Sequence, residues 1–330
     1  LHNENHSRDG CATFFLKAYD VRHFLNYLGL AAVLGVLIAI FGATTEHFLS
    51  TSNFIVLANQ LPEALLLAIG MTLVLIIGGI DLSVGAVLAL SGAVLGVALV
   101  NWEWPLYVAI PLALAAGTLC GLINGLVTVR WRLPSFIVTL GMMELARGAA
   151  YQLTDQQTLY IGQQVDTLLE FNVAGLSLLL FLALGVLGTA QVFLSHTIWG
   201  RGLFALGASE EVARLSGLNT NKMKVLVFAS SGFLAALASV VLCARLSSAD
   251  PNMGSGYELQ AIAATVIGGT SLLGGRGSAV CSFFGVAIIA VLESGLTLLA
   301  VEDPIKRMVT GVVIVLAVIL DYYRSRLKSA

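Results

Sequence analysis

The stretch Gly78-Gly79-Ile80-Asp81-Leu82-Ser83-Val84-Gly85 lies between two apolar runs, Leu61 to Ile77 and Val84 to Val100. A carboxylate flanked by so much hydrocarbon is costly, by roughly 2.5–3.5 kcal/mol at a helix centre on insertion scales. The glycines beside Asp81 weaken a helix, so the backbone is expected to break or bend here. Broken backbone at membrane depth is tolerated only where protein buries it or where it lines a wet cavity. One reading makes the stretch a landmark of a polar path through a membrane. The other has Asp81 cap, at the membrane surface, the helix that begins at Ser83 or Val84. Helix-start signals alone do not separate the two.

Composition supplies the membrane. The chain has 330 residues, 58% hydrophobic and only 11% charged, with a mean hydropathy of +0.91. A soluble domain carries about 25% charged residues, and no soluble fold of this length buries so much apolar surface. A spanning helix needs about 20 mostly apolar residues, and the runs here suffice for about ten. They are continuous, without the alternation of a β-barrel. The expected fold is an all-α polytopic helix bundle, with helices over 28–44, 61–78, 82–100, 106–128, 134–152, 173–193, 224–243, 258–275, 279–300 and 308–322.

The charge pattern orients the bundle. With ten alternating helices and the N-terminus inside, only Arg245, Lys306 and Arg307 of the 17 Lys and Arg fall on outside segments, and Arg147 falls within a helix. The positive-inside rule then puts both termini in the cytoplasm. Trp102, Trp104 and Tyr107 mark an outer boundary and Trp131 an inner one, as interface aromatics do. Residues 28–323 form one membrane domain between cytoplasmic tails 1–27 and 324–330. The tail lacks the short apolar core of a secretory signal, so the first run is expected to act as an uncleaved anchor. The inside connection 195–223 and the outside one 153–172 are both too short to fold alone. A net charge of −2 points to no nucleic acid. Cys11, Cys120, Cys243 and Cys281 fit neither a zinc site nor a disulfide framework.

Polar islands are few, and each has two readings. Glu144 and Arg147 stand three apart on one helix side, where they can neutralise each other or form part of a hydrophilic passage. Asn124 lies in Gly121-Leu-Ile-Asn-Gly125. In the inside connection, Ser209 followed by Glu210 and Glu211 has the form of a helix start, a capping hydroxyl and then acids at the positive helix end. Gly217 suits its stop. A short amphipathic helix there lies on lipid or docks in a partner's groove. The glycines of 268–278 suit a tight turn and close packing, not a phosphate loop. Gly92 and Gly96, and Gly117 and Gly121, have the small-residue spacing of packed helices. No catalytic constellation is present.

The run Ala68-Ile-Gly-Met-Thr-Leu-Val-Leu-Ile-Ile-Gly-Gly-Ile-Asp-Leu-Ser-Val-Gly-Ala-Val87 resembles the signature of the ribose-type permeases of bacterial ABC importers. Gly121-Leu-Ile-Asn-Gly125, Pro134-Ser-Phe-Ile-Val-Thr-Leu-Gly141, the 200–217 loop and Ala264-Thr-Val-Ile-Gly-Gly-Thr-Ser-Leu-Leu-Gly-Gly-Arg-Gly-Ser278 resemble it too, in order, over about residues 30–325. The resemblance implies the inner-membrane subunit of an importer for a small neutral sugar, binding no cofactor itself. Its implied partners are a second permease subunit, a periplasmic sugar-binding protein and a cytoplasmic ABC ATPase that uses the ATP. It implies that the 200–217 loop docks in the ATPase, with Gly200, Arg201, Ala205, Gly207, Glu210, Glu211, Ala213 and Gly217 in the contact region. Asp81, Ser83, Asn124, Thr139, Thr270 and Ser271 are the candidates for lining or shaping the sugar path. A stand-alone ion-coupled carrier, with Asp81, Glu144 and Arg147 as its relay, is the alternative. Residues 1–27 depart from the family pattern.

Overall fold

The computed structural model describes residues 27–165 and 172–327. The expected N-terminal tail, apart from Tyr27, lies outside them, as do Cys11 and the last three residues. Among the described residues the chain is a helix bundle with two small two-stranded ribbons. Its first half holds α1 (Tyr27–Thr44), α2 (Thr51–Asn59), α3 (Leu61–Ile76), α4 (Val84–Val100), α5 (Leu106–Trp131) and α6 (Ser135–Leu153). The short α7 (Gly162–Val165) follows strand β1 (Leu159–Tyr160). The hairpin β2 (Asn172–Val173) and β3 (Leu176–Ser177) precedes α8 (Leu178–His196), α9 (Ile198–Ala208), α10 (Glu210–Leu215) and α11 (Thr220–Leu246). Strand β4 (Ser248–Ala249), α12 (Tyr257–Ile267), α13 (Ala279–Leu298) and α14 (Asp303–Leu327) complete it.

Local chemistry sets most boundaries. Ser50, Ser177, Thr197, Ser209, Asn219 and Ser278 each accept a backbone N–H at the start of the helix that follows, the ordinary N-cap bond. Pro62 stands in the first turn of α3, and α2 and α3 meet there at 43°. α5 ends at Arg132, which adopts a left-handed conformation. Pro134 then opens α6, because its ring bars the preceding residue from helix. Ala174 and Gly175 both take positive φ, which turns β2 into β3.

α3 buries every residue but Ala64, and α11 packs on α5, α3 and α4. A helix that is apolar all round belongs in the middle of a bundle. At the rim, α1 exposes Leu28, Val33, Val36 and Ile40, and α14 exposes Val312, Val315 and Leu316, surfaces suited to lipid. Among the described residues, five helices (α1, α5, α8, α11 and α13) are long and apolar enough to cross a membrane, or six if the bent α2–α3 pair is one span. The chain is a multi-pass membrane protein.

Several expected helices differ in extent. The helix expected over 258–275 ends at Ile267, because Gly268 and Gly269 stop it and Gly269 takes φ +89°. α4, with 17 residues, rises about 26 Å, short of the roughly 30 Å hydrocarbon core. α8 begins at Leu178, not 173, because 172–177 folds as a hairpin. α9 was not expected as a helix. α14 runs past residue 323 into the expected tail.

The small residues pack as their spacing predicts. Side chains added at Gly117, Gly121 and Gly125 of α5 would meet α11, and one added at Gly232 of α11 would meet α5. A Cβ at Gly121 would run into the Phe228 carbonyl, a backbone atom that cannot move aside. Gly121→Leu is therefore expected to destabilise the bundle by about 1–3 kcal/mol or more, read as a lower melting temperature in detergent. Gly141→Ala, where nothing lies within 4 Å, should melt like the parent; equal melting of both variants would refute the α5–α11 contact.

Candidate functional site

The first interruption, 77–83, is clamped around Asp81, which is 1% exposed. Its Oδ1 accepts the Ser83 hydroxyl at 2.6 Å and the Ser83 N–H at 3.0 Å. Its Oδ2 accepts the Ser231 hydroxyl from α11 at 2.8 Å. Asn124 of α5 donates from Nδ2 to Ser83 Oγ at 3.0 Å. Thr139 of α6 donates to the Ile80 carbonyl and accepts the Leu82 N–H, and Ser135 accepts the Ile80 N–H. Two α6 side chains thus satisfy backbone that α3 and α4 leave unpaired, while α11 and α5 hold the Asp81 and Ser83 side chains in place. Asp81 bonds the turn that leads into α4, whose N-cap is Ser83 without a side-chain cap bond, and it lies buried rather than at a surface.

The second interruption, 268–278, closes on itself through Ser271 N–H to the Arg276 carbonyl, 3.0 Å, and Gly274 N–H to the Ser271 carbonyl, 3.2 Å. It also docks on the first. Gly275 donates its N–H to the Ile76 carbonyl at the end of α3, 2.9 Å. Gly207 of α9 sits against the same pair, and a Cβ there would strike Ile76 O and Gly275 N. Three backbone segments therefore touch with no side chain between them. Thr270 is buried here with no partner for its hydroxyl, and Ser271 is 5% exposed.

The third interruption, 247–256, follows α11. Its strand β4 pairs antiparallel with β1, and Gly254 then lies against Gly85 at the start of α4. Arg147 donates to the Pro251 and Met253 carbonyls at 2.6 and 2.9 Å. Arg147 is thus spent on backbone carbonyls, and the expected Glu144–Arg147 pair does not form; Glu144 is exposed. At this end Asp250 accepts the Thr158 hydroxyl and the Asn252 N–H. Partial burial pushes its carboxyl up, but these bonds and the Arg147 charge outweigh that and hold it below the usual range.

Around the junction, α9 and α10 form one face. Gly200, Gly202, Leu203, Leu206 and Ala213 are buried, while Arg201, Ala205, Glu210, Glu211 and Gly217 are exposed. Ser209 starts α10 and Gly217 ends it with φ +82°. Val212 and Leu215 stand 61% and 78% exposed, and Leu273, in the loop packed against Gly207, 89%. Lys224 holds Glu210 at 2.7 Å. Beside this face a cleft of about 740 Å³ is lined by Arg130, Arg132, Arg214, Glu210, Glu211 and Lys224.

The chain matches, over residues 53–318, the family model described as branched-chain amino acid transport system / permease component. It is 40% identical to the ribose import permease protein RbsC of Haemophilus influenzae over 310 residues, 92% of this chain and 96% of that protein. It is 34% identical to the D-allose transport system permease protein AlsC of Escherichia coli K12 over 309 residues, 92% and 94% of the two chains. It is 31% identical to the fructose import permease protein FrcC of Rhizobium meliloti over 323 residues, 92% and 88%. The chain belongs to this permease family.

In this permease, four of the six path candidates (Asp81, Ser83, Asn124 and Thr139) meet in one buried network. Thr270 and Ser271 belong to the second interruption. No hydrogen bond or ion pair joins Asp81, Glu144 and Arg147 among the described residues. What the sequence reading missed is a second polar cluster. At the other end of α3, Glu63 accepts Arg245 Nη2 at 2.6 Å, beside a cavity of about 540 Å³ that Gln260 and Glu293 also line. The signals were an acid within the Leu61–Ile77 run and a lone arginine on an outside segment.

Asp81→Ala removes the acceptor for Ser83 and Ser231 together, and each buried group so orphaned costs about 1–3 kcal/mol. The variant is expected to melt well below Asp81→Asn, whose amide oxygen still accepts one hydroxyl. Equal melting of Asp81→Ala and the parent in detergent would remove the clamp.

Proposed function

We propose that this chain is the membrane-spanning subunit of a bacterial ABC importer that carries a small neutral sugar across the inner membrane. The observation that carries the reading is the 40% identity to ribose import permeases over nearly the whole of both chains. Permeases named for D-allose and fructose match over as much of the chain. The family description names branched-chain amino acids, but these relatives are named for monosaccharides. The subunit has no catalytic step of its own and binds no cofactor. ATP is used by a separate cytoplasmic ABC ATPase, sugar arrives on a periplasmic binding protein, and a second permease subunit, identical or not, completes the path. The ion-coupled carrier has nothing to support it, since its three charged residues form no relay.

The positive-inside count supports a cytoplasmic side for the α9–α10 face and for both termini. On that face α10 exposes Val212 and Leu215 next to Glu210 and Glu211, an apolar stripe with an acidic start that fits a helix-in-groove contact. The two acids do not suit an anionic leaflet, which favours the ATPase as the occupant. Asp81, Ser83, Asn124, Thr139 and Ser271 shape the path by holding its broken helices, and Thr270, whose buried hydroxyl has no partner, lies beside them in the 268–278 loop.

Glu210→Lys combined with Glu211→Lys reverses the charge of the stripe. Loss of ATPase co-purification and a drop of about tenfold or more in uptake are expected; unaltered association and transport would remove the coupling claim. A cysteine replacing Leu215 should react with an impermeant maleimide only in opened cells. Labelling in intact cells would put the face on the wrong side of the membrane.

A further inference from the structure

The cavity at the far end of α3 carries an assignment of its own. Side chains from α2, α3, α11, α12 and α13 converge on its roughly 540 Å³, within the roughly 300–1,000 Å³ of small-molecule sites. Glu63 is 3% exposed. One of its oxygens accepts Arg245 Nη2, but the other, Oε2, has no partner, and neither has the buried Nε of Arg245. Also in the lining, Gln260 Nε2 donates to Glu293 Oε1 at 3.0 Å, and the Ser294 hydroxyl donates to Asn53 Oδ1 at 3.2 Å. Tyr257 and the apolar Leu61, Leu67 and Ile289 are among the other lining residues.

A buried carboxylate oxygen and a buried guanidinium N–H left open are expensive. Glu63 fixes Arg245 at this wall, and the Arg245 side chain, 29% exposed against 4% for Glu63, is the member of the pair that a hydroxyl in the cavity can reach, as a guanidinium donor. Glu293 offers a second carboxylate acceptor in the lining, and charge-assisted bonds of this kind are the stronger ones. An amino acid fits less well, because its carboxylate would compete with Glu63 for Arg245 while facing two acids. A metal cation fits less well still, with the Arg245 charge in the wall.

We infer that this cavity is a binding site for a neutral polyhydroxylated monosaccharide, held between Glu63–Arg245 and Glu293 during its passage. The inference rests on the sugar-import reading and extends it to named residues. With the N-terminus inside, the site opens near the outer ends of α11 and α13, where arriving sugar would enter.

The test uses the complete importer in cells, with ribose, fructose, allose and leucine as probes. Glu293→Gln, which keeps the shape and loses the charged acceptor, should slow uptake of the transported sugar about tenfold or more, while ATPase co-purification stays intact. Glu46→Gln, on an exposed loop, should transport as the parent does. Folding is kept out of the result by a second readout: Ser294→Cys at the cavity wall, labelled from outside. The transported sugar should protect that thiol several-fold and leucine should not. Parental uptake by Glu293→Gln together with no protection of Ser294→Cys would overturn the site and leave the sugar importer standing. Protection by leucine alone would overturn the sugar as its occupant. Import of none of the three sugars by the parent would overturn the sugar reading itself.

Discussion

Hydrocarbon offers no partner to a free N–H or C=O, so every turn of backbone that leaves the helix must be answered from within the protein. That constraint governs this chain more than any apolar contact does. The helical path is interrupted at 77–83, 247–256 and 268–278, and each interruption has a resident answer. Asp81, Thr139 and Ser135 take the free N–H groups of the first. Arg147 takes two carbonyls of 247–256. The 268–278 loop is answered by its own turn and by the Ile76 carbonyl. The charged residues that look functional in an apolar sequence are, in these places, what makes irregular backbone possible.

Interruptions also allow what helices forbid, the direct approach of backbone to backbone. Gly207, Ile76 and Gly275 meet without side chains between them. A contact of this kind has no rotamers to absorb a displacement, and packed interiors yield little. A push on α9 therefore reaches the end of α3 and the 268–278 loop at once. Leu273, exposed beside the same junction, extends the face that the push would act on.

The first interruption was legible because its cause is local: two glycines and an acid within four positions of an apolar run. The α10 helix was legible for the same reason, with Ser209, two acids and Gly217 in order. The shortened α12 was readable only in part. Gly268 and Gly269 interrupt the run, but apolar content on both sides favours a continuous span. Sequence displays only near partners, and for Arg147 that is Glu144, three residues away. Its actual partners are 104 and 106 residues distant. The Glu63–Arg245 pair spans 182 residues, and nothing in either residue's surroundings names the other. Polar satisfaction in a membrane protein is mostly a long-range property, and single-sequence reasoning sees it as isolated, unexplained charge.

α3 joins these features. It carries Glu63 in its first turn, at the cavity, and ends at Ile76, at the glycine junction. Thirteen residues of helix separate the two by about 20 Å. The helix between them is buried on every side and packed on α11, α12, α13 and α8, so it is expected to move as a rod rather than bend. Ser231, on α11, holds Asp81 just beyond the end of that rod, while Arg245, on the same α11, holds Glu63 near its start. The two helices are therefore pinned to each other at both ends by carboxylates. A displacement of α9 that tilts α3 must either carry α11 with it or strain both pins. If it carries α11, the Glu63–Arg245 pair travels as a unit and the cavity changes shape against α12 and α13, which bring Gln260 and Glu293. The same two acids that let polar groups exist inside the bundle thus fix which of its walls move together.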